Sequence, residues 1–359
     1  MFQYIVRRLL LAIPVLLGIL IVTFCLARMI PGDPCRAMMG EKATEQVCEI
    51  FRKANGLDQP IWVQLLVYMR KVFVGDFGNS IRYSRPVMQI LIERLPMTIE
   101  LGFTALIIAV LIGIPAGIIA AVKRNSALDV ITMVGANIGV SMPVYWLGLI
   151  LMYIFALLLK GTPLWLTPSG RFTAGIDITP FYMVFNWGLQ KGTFAYQLAD
   201  FASNFYIFNS ILTGRWDILW DVLKHLILPA VALSTIPLAI IARMTRSAML
   251  EVLKQDYVRT AKAKGLRERL VIMKHAFRNA LLPISTTIGL EIGTLFAGAV
   301  LTESIFGLSG VGRILYDAIT ARDFPIIQAF TVVIAAFYVL INLLVDISYI
   351  FIDPRIRLD

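Results

Sequence analysis

The sequence predicts an all-α polytopic membrane protein with six transmembrane helices and both termini on the cytoplasmic side. Three observations predict it. Of 359 residues, 58% are hydrophobic and 16% charged, and mean hydropathy is +0.77, outside the balance of a soluble domain. A spanning helix needs about 20 apolar residues, and six segments qualify: Leu9–Met29, Ile99–Val122, Val130–Leu159, Leu226–Ala242, Ala280–Leu301 and Phe324–Ile352. Basic residues cluster beside them: Arg7 and Arg8, Lys123 and Arg124, the stretch after the fourth segment, and Arg355 with Arg357. All four clusters fall inside if both termini do. The net charge of +10 is therefore mostly topological, and cations at bilayer edges need no nucleic acid partner.

The chain divides accordingly into a first helix (1–30), an extracytoplasmic loop with short helices (31–98), helices two and three (99–160), an extracytoplasmic insertion (161–225), helices four to six (226–352) and a cytoplasmic tail (353–359). The first apolar segment is longer than a signal-peptide core, and no small-x-small site precedes the turn at Pro31, so it is read as retained. In the first loop, Glu45–Lys53 and Ile61–Val74 have amphipathic helical spacing on either side of a turn at 56–60. Cys35 and Cys48 lie in this exported loop, where a disulfide would contribute about 3 kcal/mol. Two cysteines set no pattern, so pairing stays open, and Cys25 reads as a packed or lipid-facing thiol. No metal site is expected, since no His lies near in sequence.

Helix two carries Gly113, Pro115 and Gly117, and helix three carries Ser141 and Pro143, which serve either as kinks or as close-packing positions. Asn137 and Ser141, four apart, share a face that lines a path or hydrogen-bonds a neighbouring helix. The insertion is aromatic, and Ile211–Leu226 reads as an interfacial helix with Trp216 and Trp220 on one face. In helix five, Thr287, Glu291, Thr294 and Gly298 form one stripe, while Gly289, Gly293 and Ala297 form a small-residue row nearly opposite. A carboxylate in mid-span faces a cavity or a partner, so Thr287, Glu291 and Thr294, with Asn137 and Ser141, are candidate path residues. The alternative is a hydrogen-bonded Glu291 at a subunit interface. Gly307, Gly310 and Gly312 have no strand before them and no Lys after, so Ser304–Phe324 reads as a compact external turn. Asp346 reads as a packing or interfacial charge.

The most unusual stretch is Arg243–Pro283, with ten Lys/Arg against three acids between two apolar segments. Tyr257–Lys264 are mostly helix formers and Gly265 is a natural helix stop. A short helix, a glycine break, a basic helix and a proline entering the membrane make a mechanical coupler, or a topogenic loop held to anionic lipid.

The run from Arg259 to Gly265, followed by Leu281, Leu282 and Pro283, resembles the cytoplasmic EAA loop of ABC importer permeases. Thr260 and Ala261 take the second and third places of that motif and Gly265 its glycine. Arg259 stands at the glutamate position, and the gap to the proline is long, as in the dipeptide/oligopeptide/nickel branch. The stretches 30–34, 56–60, 75–80, 243–247, 275–280 and 353–357 resemble the same branch. The resemblance implies an ABC importer permease fold in a bacterial or archaeal plasma membrane, forming half of a path for peptides or related solutes such as nickel chelates or glycosides. It implies coupling to an ATP-binding subunit through Tyr257, Arg259, Thr260, Ala261, Lys262, Lys264, Gly265 and Arg267. The implied partners are a second homologous permease, two ATP-binding subunits carrying ATP and Mg, an extracytoplasmic solute-binding protein and membrane lipid.

Two other classes compete. A secondary transporter should show repeats and several buried ionisable groups, whereas only Glu291 reads as deep in a span. An intramembrane enzyme needs a nucleophile or metal site, but His225 and His275 stand apart and no HExxH occurs. No GxxxxGK[ST] loop occurs, so no cofactor is expected on this chain.

Overall fold

The computed structural model describes residues 2–29, 35–36, 43–54 and 56–352. The stretches 30–34 and 353–357, with Arg355 and Arg357, lie outside the described residues. In chain order the helices are α1 (Phe2–Met29), α2 (Glu45–Ala54), α3 (Ile61–Phe73), α4 (Val87–Val122), α5 (Ala127–Ser141) and α6 (Val144–Leu151). They continue as α7 (Phe181–Val184), α8 (Phe194–Ser203), α9 (Tyr206–Thr213), α10 (Trp216–Val252), α11 (Asp256–Ala263), α12 (Glu268–Leu270), α13 (Arg278–Ile305), α14 (Val311–Ala321) and α15 (Phe324–Ile352). Wider π-helical turns extend α6 over Met152–Leu158 and join α12 to α13 over Val271–Phe277. Among the described residues four helices are long and apolar enough to cross a membrane, or up to six if each of two bent pairs counts as one span.

Local chemistry moves several boundaries. The third apolar segment is bent by 103° between α5 and α6. Pro143 is the cause: the residue before a proline is pushed out of the helical region, and Met142 is extended at φ −81° and ψ 125°. The fourth segment, expected over Leu226–Ala242, sits inside the 37 residues of α10, which absorbs both Pro229 and Pro237. The interfacial helix expected over Ile211–Leu226 is split, because Gly214 at φ +69° ends α9 and α10 begins two residues later. Trp216 and Trp220 keep one exposed face on the first turns of α10, with Lys224 Nζ 5.6 Å from the Trp220 ring. The turn expected over Ser304–Phe324 instead holds helix α14.

The chain forms two compact units. The first comprises Met1–Pro96 and Gly310–Val339. In it, Arg28 near the end of α1 donates to Gln64 Oε1 at 3.0 Å and lies 4.1 Å over the Phe24 ring, which stacks on Tyr68. Cys35 and Cys48 are joined by a disulfide, and Cys25 is exposed. Buried Asp323 gathers Ser80 Oγ at 2.6 Å and the Ile81 and Arg82 amides at 3.1 Å, which fixes the strap that follows the 75–80 segment.

The second unit comprises Met97–Ser309 and Leu340–Asp359. Its core packs α4, α10 and α13 through Leu101, Ala105, Leu228, Leu233, Leu295 and Phe306. Gly113 and Gly117 are what let α4 and α10 approach. A Cβ on Gly113 would lie 2.9 Å from the Leu238 carbonyl oxygen, and one on Gly117 2.6 Å from that of Ala242.

Gly117→Ala should therefore overpack this crossing by about 1–3 kcal/mol and lower the thermal unfolding midpoint of the purified protein. Gly18→Ala, where a Cβ would meet nothing within 4 Å, should leave the midpoint in place.

Candidate functional site

The basic stretch is not one loop. Arg243–Val252 continues α10, and α11 follows as a separate helix. The end of α11 is closed by paired bonds: the Gly265 amide donates to Lys262 O at 2.9 Å and the Leu266 amide to Ala261 O at 3.4 Å. This arrangement needs a left-handed residue at the turn, and Gly265 supplies it at φ +72°.

The two faces of α11 differ in kind. Val258 and Ala261, three apart, are buried against Val271, with Val252 and Leu253 packed beside them. Ala261, expected among the docking residues, thus faces its own chain and supports the surface. The other seven, Tyr257, Arg259, Thr260, Lys262, Lys264, Gly265 and Arg267, are all exposed. Desolvation raises the Tyr257 phenol above its ordinary value, so at neutral pH it is an uncharged donor. Arg259 reaches Asp256 at 3.3 Å with both groups in solvent, an ion pair that contributes little. Leu266, Leu270 and Met273 are exposed among these cations. Sequence reasoning missed them because it followed the charge; the signal was three large apolar residues in a stretch with no span to bury them.

Val252 and Leu253 also pack in a second cluster with Ala121, Met249, Ala276, Ala280 and Ile284. That cluster joins the ends of α4 and α10 to the start of α13. The exposed surface is thus connected to long helices by a continuous apolar seam.

The candidate path residues are placed unevenly. Asn137 and Ser141 are exposed and share a face of α5, with Ser141 Oγ donating to Asn137 O at 2.9 Å. Asn137 Oδ1 accepts from Arg243 Nη1 of α10 at 3.5 Å. Thr287 and Glu291, in contrast, are buried within the subunit. Thr287 donates to Pro283 O at 2.9 Å, Thr294 donates to Glu291 Oε2 at 2.8 Å, and only Thr294 of the three is exposed. The stripe borders buried Ile284 and Leu295, and a Cβ on Gly298 would lie 3.1 Å from Leu233, so it turns toward α10. Gly289 is also close-packed, since a Cβ there would run into the Val345 side chain on α15. Gly293 is half-buried, and the side chains of Ala297 and Asp346 lie outside the described residues. Helix α13 is therefore packed at Thr287, Glu291 and Gly298 on one expected face and at Gly289 on the other, and Thr294 alone of the three expected path residues on it reaches solvent.

Further buried acids escaped the sequence reading. Asp129 accepts from Arg246 Nε and Nη2 at 2.6 and 2.7 Å and from the Asn125 amide at 3.0 Å. Ser126 accepts from the Asp129 amide, a capping pair whose spacing was visible before the apolar run. Glu100 pairs with Arg171 at 2.7 Å and accepts from the Ile207 amide at 2.8 Å. Thr98 donates to Glu303 at 2.6 Å. His225 is buried, with Nδ1 2.8 Å from Asp221 O four residues earlier.

Residues 113–358 match the family described as binding-protein-dependent transport system inner membrane component, and residues 1–102 match its N-terminal membrane component. Over 357 residues the chain is 45% identical to the dipeptide transport system permease protein of Alkalihalophilus pseudofirmus, covering 99% of this chain and 100% of that one. It is 42% identical over 358 residues to the di/tripeptide transport system permease protein of Pseudomonas aeruginosa, covering 99% of each. It is 43% identical over 359 residues to the dipeptide transport system permease protein of Escherichia coli K12, again covering 99% of each.

The Asp129–Arg246 pair gives a direct test of packing at this end. Asp129→Ala should cost about 2 kcal/mol by leaving the guanidinium unpaired. Exchanging the two residues should recover part of that loss in a thermal double-mutant cycle.

Proposed function

The chain belongs to the family of inner membrane components of binding-protein-dependent transport systems, and from that premise we propose that it is one half of the membrane path of an ATP-driven peptide importer. The names of its relatives support di- and tripeptides as the substrate class. The bent pairs Ala127–Ser141 with Val144–Leu158, and Glu268–Phe296 with Gly298–Ile305, each count as one span in this reading, which gives six. Both termini and α11 lie in the cytoplasm, where the concentration of Lys and Arg holds them. A second homologous permease completes the path. Two ATP-binding subunits hold ATP and Mg, and a solute-binding protein delivers peptide from outside.

One observation carries the reading: the seam beneath α11. A docking helix must present a surface and pass displacement onward. Tyr257, Leu266, Leu270 and Met273 offer exposed apolar groups rimmed by Arg259, Lys262, Lys264 and Arg267. Such a surface suits a partner with an apolar cleft and acidic edges. Val258 and Ala261 then transfer any movement of α11 to Val271 and the start of α13. An ion-driven carrier needs a carboxylate free to exchange its ion. Asp129, Glu100, Glu291 and Glu303 each have a hydrogen-bonding partner within the chain.

Gly265→Leu tests the assignment. A left-handed backbone costs a side-chain-bearing residue about 1–2 kcal/mol, so the exit of α11 should rearrange. In proteoliposomes holding the assembled transporter, peptide taken up per ATP hydrolysed should fall several-fold while the amount of inserted protein stays the same. Wild-type stoichiometry in this variant would contradict the docking assignment.

A further inference from the structure

Two arginines three residues apart on α10 meet different fates. Arg246 is gripped by both oxygens of Asp129 at the first turn of α5. Arg243 is exposed and, among the described residues, has no carboxylate partner; its hydrogen bond is the long one to Asn137 Oδ1 at 3.5 Å. Depth separates the two further. Asn137 is eight residues beyond Asp129, about 12 Å along the helix at 1.5 Å per residue. Arg243 therefore extends its guanidinium away from the helix end, alongside the apolar part of α5. A cation at that depth turns toward a water-filled cavity or a partner, because lipid cannot solvate it.

The surroundings are chemically selective. Asn137 and Ser141 on α5 and Ser247 on α10 are exposed neutral groups close in sequence or space to Arg243. A guanidinium carries five N–H donors in a planar fork that matches a carboxylate, and the contact with Asn137 occupies one of them. Glu291, the acid expected on the path, is buried and bonded to Thr294. Among these described neighbours the exposed charge is the Arg243 guanidinium, and a positive charge selects anions.

The geometry points to a subsite in which Arg243, flanked by Asn137 and Ser141, receives the free carboxylate of a peptide near the cytoplasmic mouth of the path. This inference rests on the peptide-importer reading and on the orientation proposed with it. Binding there is transient: one forked contact holds the carboxyl end while the remainder of the peptide stays in water, and release into the cytoplasm needs only exchange with solvent. An anionic lipid headgroup has the same forked chemistry, so the test must separate the two sources.

The assembled transporter in proteoliposomes is given alanyl-alanine or its C-terminal amide, and uptake is read per ATP hydrolysed. The binding protein is the same in every arm, so its own preference cancels between permease variants. Arg243→Gln should lower alanyl-alanine uptake about tenfold, the order expected for losing a charged hydrogen bond, and leave the amide within about twofold of wild type. Arg243→Lys, which keeps the charge and loses the fork, should fall between. Equal losses for both peptides, as a lipid anchor or a folding defect would give, overturn the subsite, and so does unchanged alanyl-alanine uptake in Arg243→Gln. A wild-type transporter that takes up neither peptide instead overturns the peptide reading beneath it.

Discussion

The structure depends on the apolar seam beneath α11. Val258 and Ala261 press on Val271, and Val252 and Leu253 pack both there and in the cluster that holds Ala276, Ala280 and Ile284. Burying each large aliphatic side chain stabilises by about 1.5–3 kcal/mol, so a seam of this size outweighs any exposed ion pair on the same helix. The cations of the segment stay in solvent while the apolar residues fix its position. Gly265 then lets the chain turn back into α12 without lengthening α11.

Above the seam, close approach is governed by what side chains are missing. Gly113 and Gly117 bring α4 against α10, and Gly148 lies where a Cβ would meet the Phe306 ring at 3.0 Å. Prolines act unevenly: Pro143 breaks a span sharply through its effect on Met142, whereas Pro229 and Pro237 are absorbed into α10. Neighbouring helices can shelter a freed carbonyl, so a proline alone does not decide a break.

Much of this was legible in the sequence. Apolar run lengths pointed to helices of which four to six are candidate spans among the described residues, and the Tyr257–Gly265 pattern located a short helix with its stop. Helix ends were less legible: α4 begins at Val87 and α10 at Trp216, well before their apolar runs, because long helices project beyond any bilayer core. The polar stripe of α13 was read from period alone, and period cannot say which neighbour a face meets. Thr287 and Glu291 share their phase with Ile284 and Leu295, which places them inward. Arg243 and Arg246 look alike as residues in a basic stretch, and only the position of α5 distinguishes a neutralised cation from one without a carboxylate partner.

Through the seam, α11 and the first turns of α13 pack as one body. Spin labels at Lys262 and Asn279, both exposed on that body, would measure this directly in the assembled transporter by pulsed electron resonance. The same inter-label distance is expected without nucleotide and with ATP trapped, since the seam moves intact. A change of more than a few ångström between those states would show that α11 slides on its support, and would contradict transmission through Val258 and Ala261.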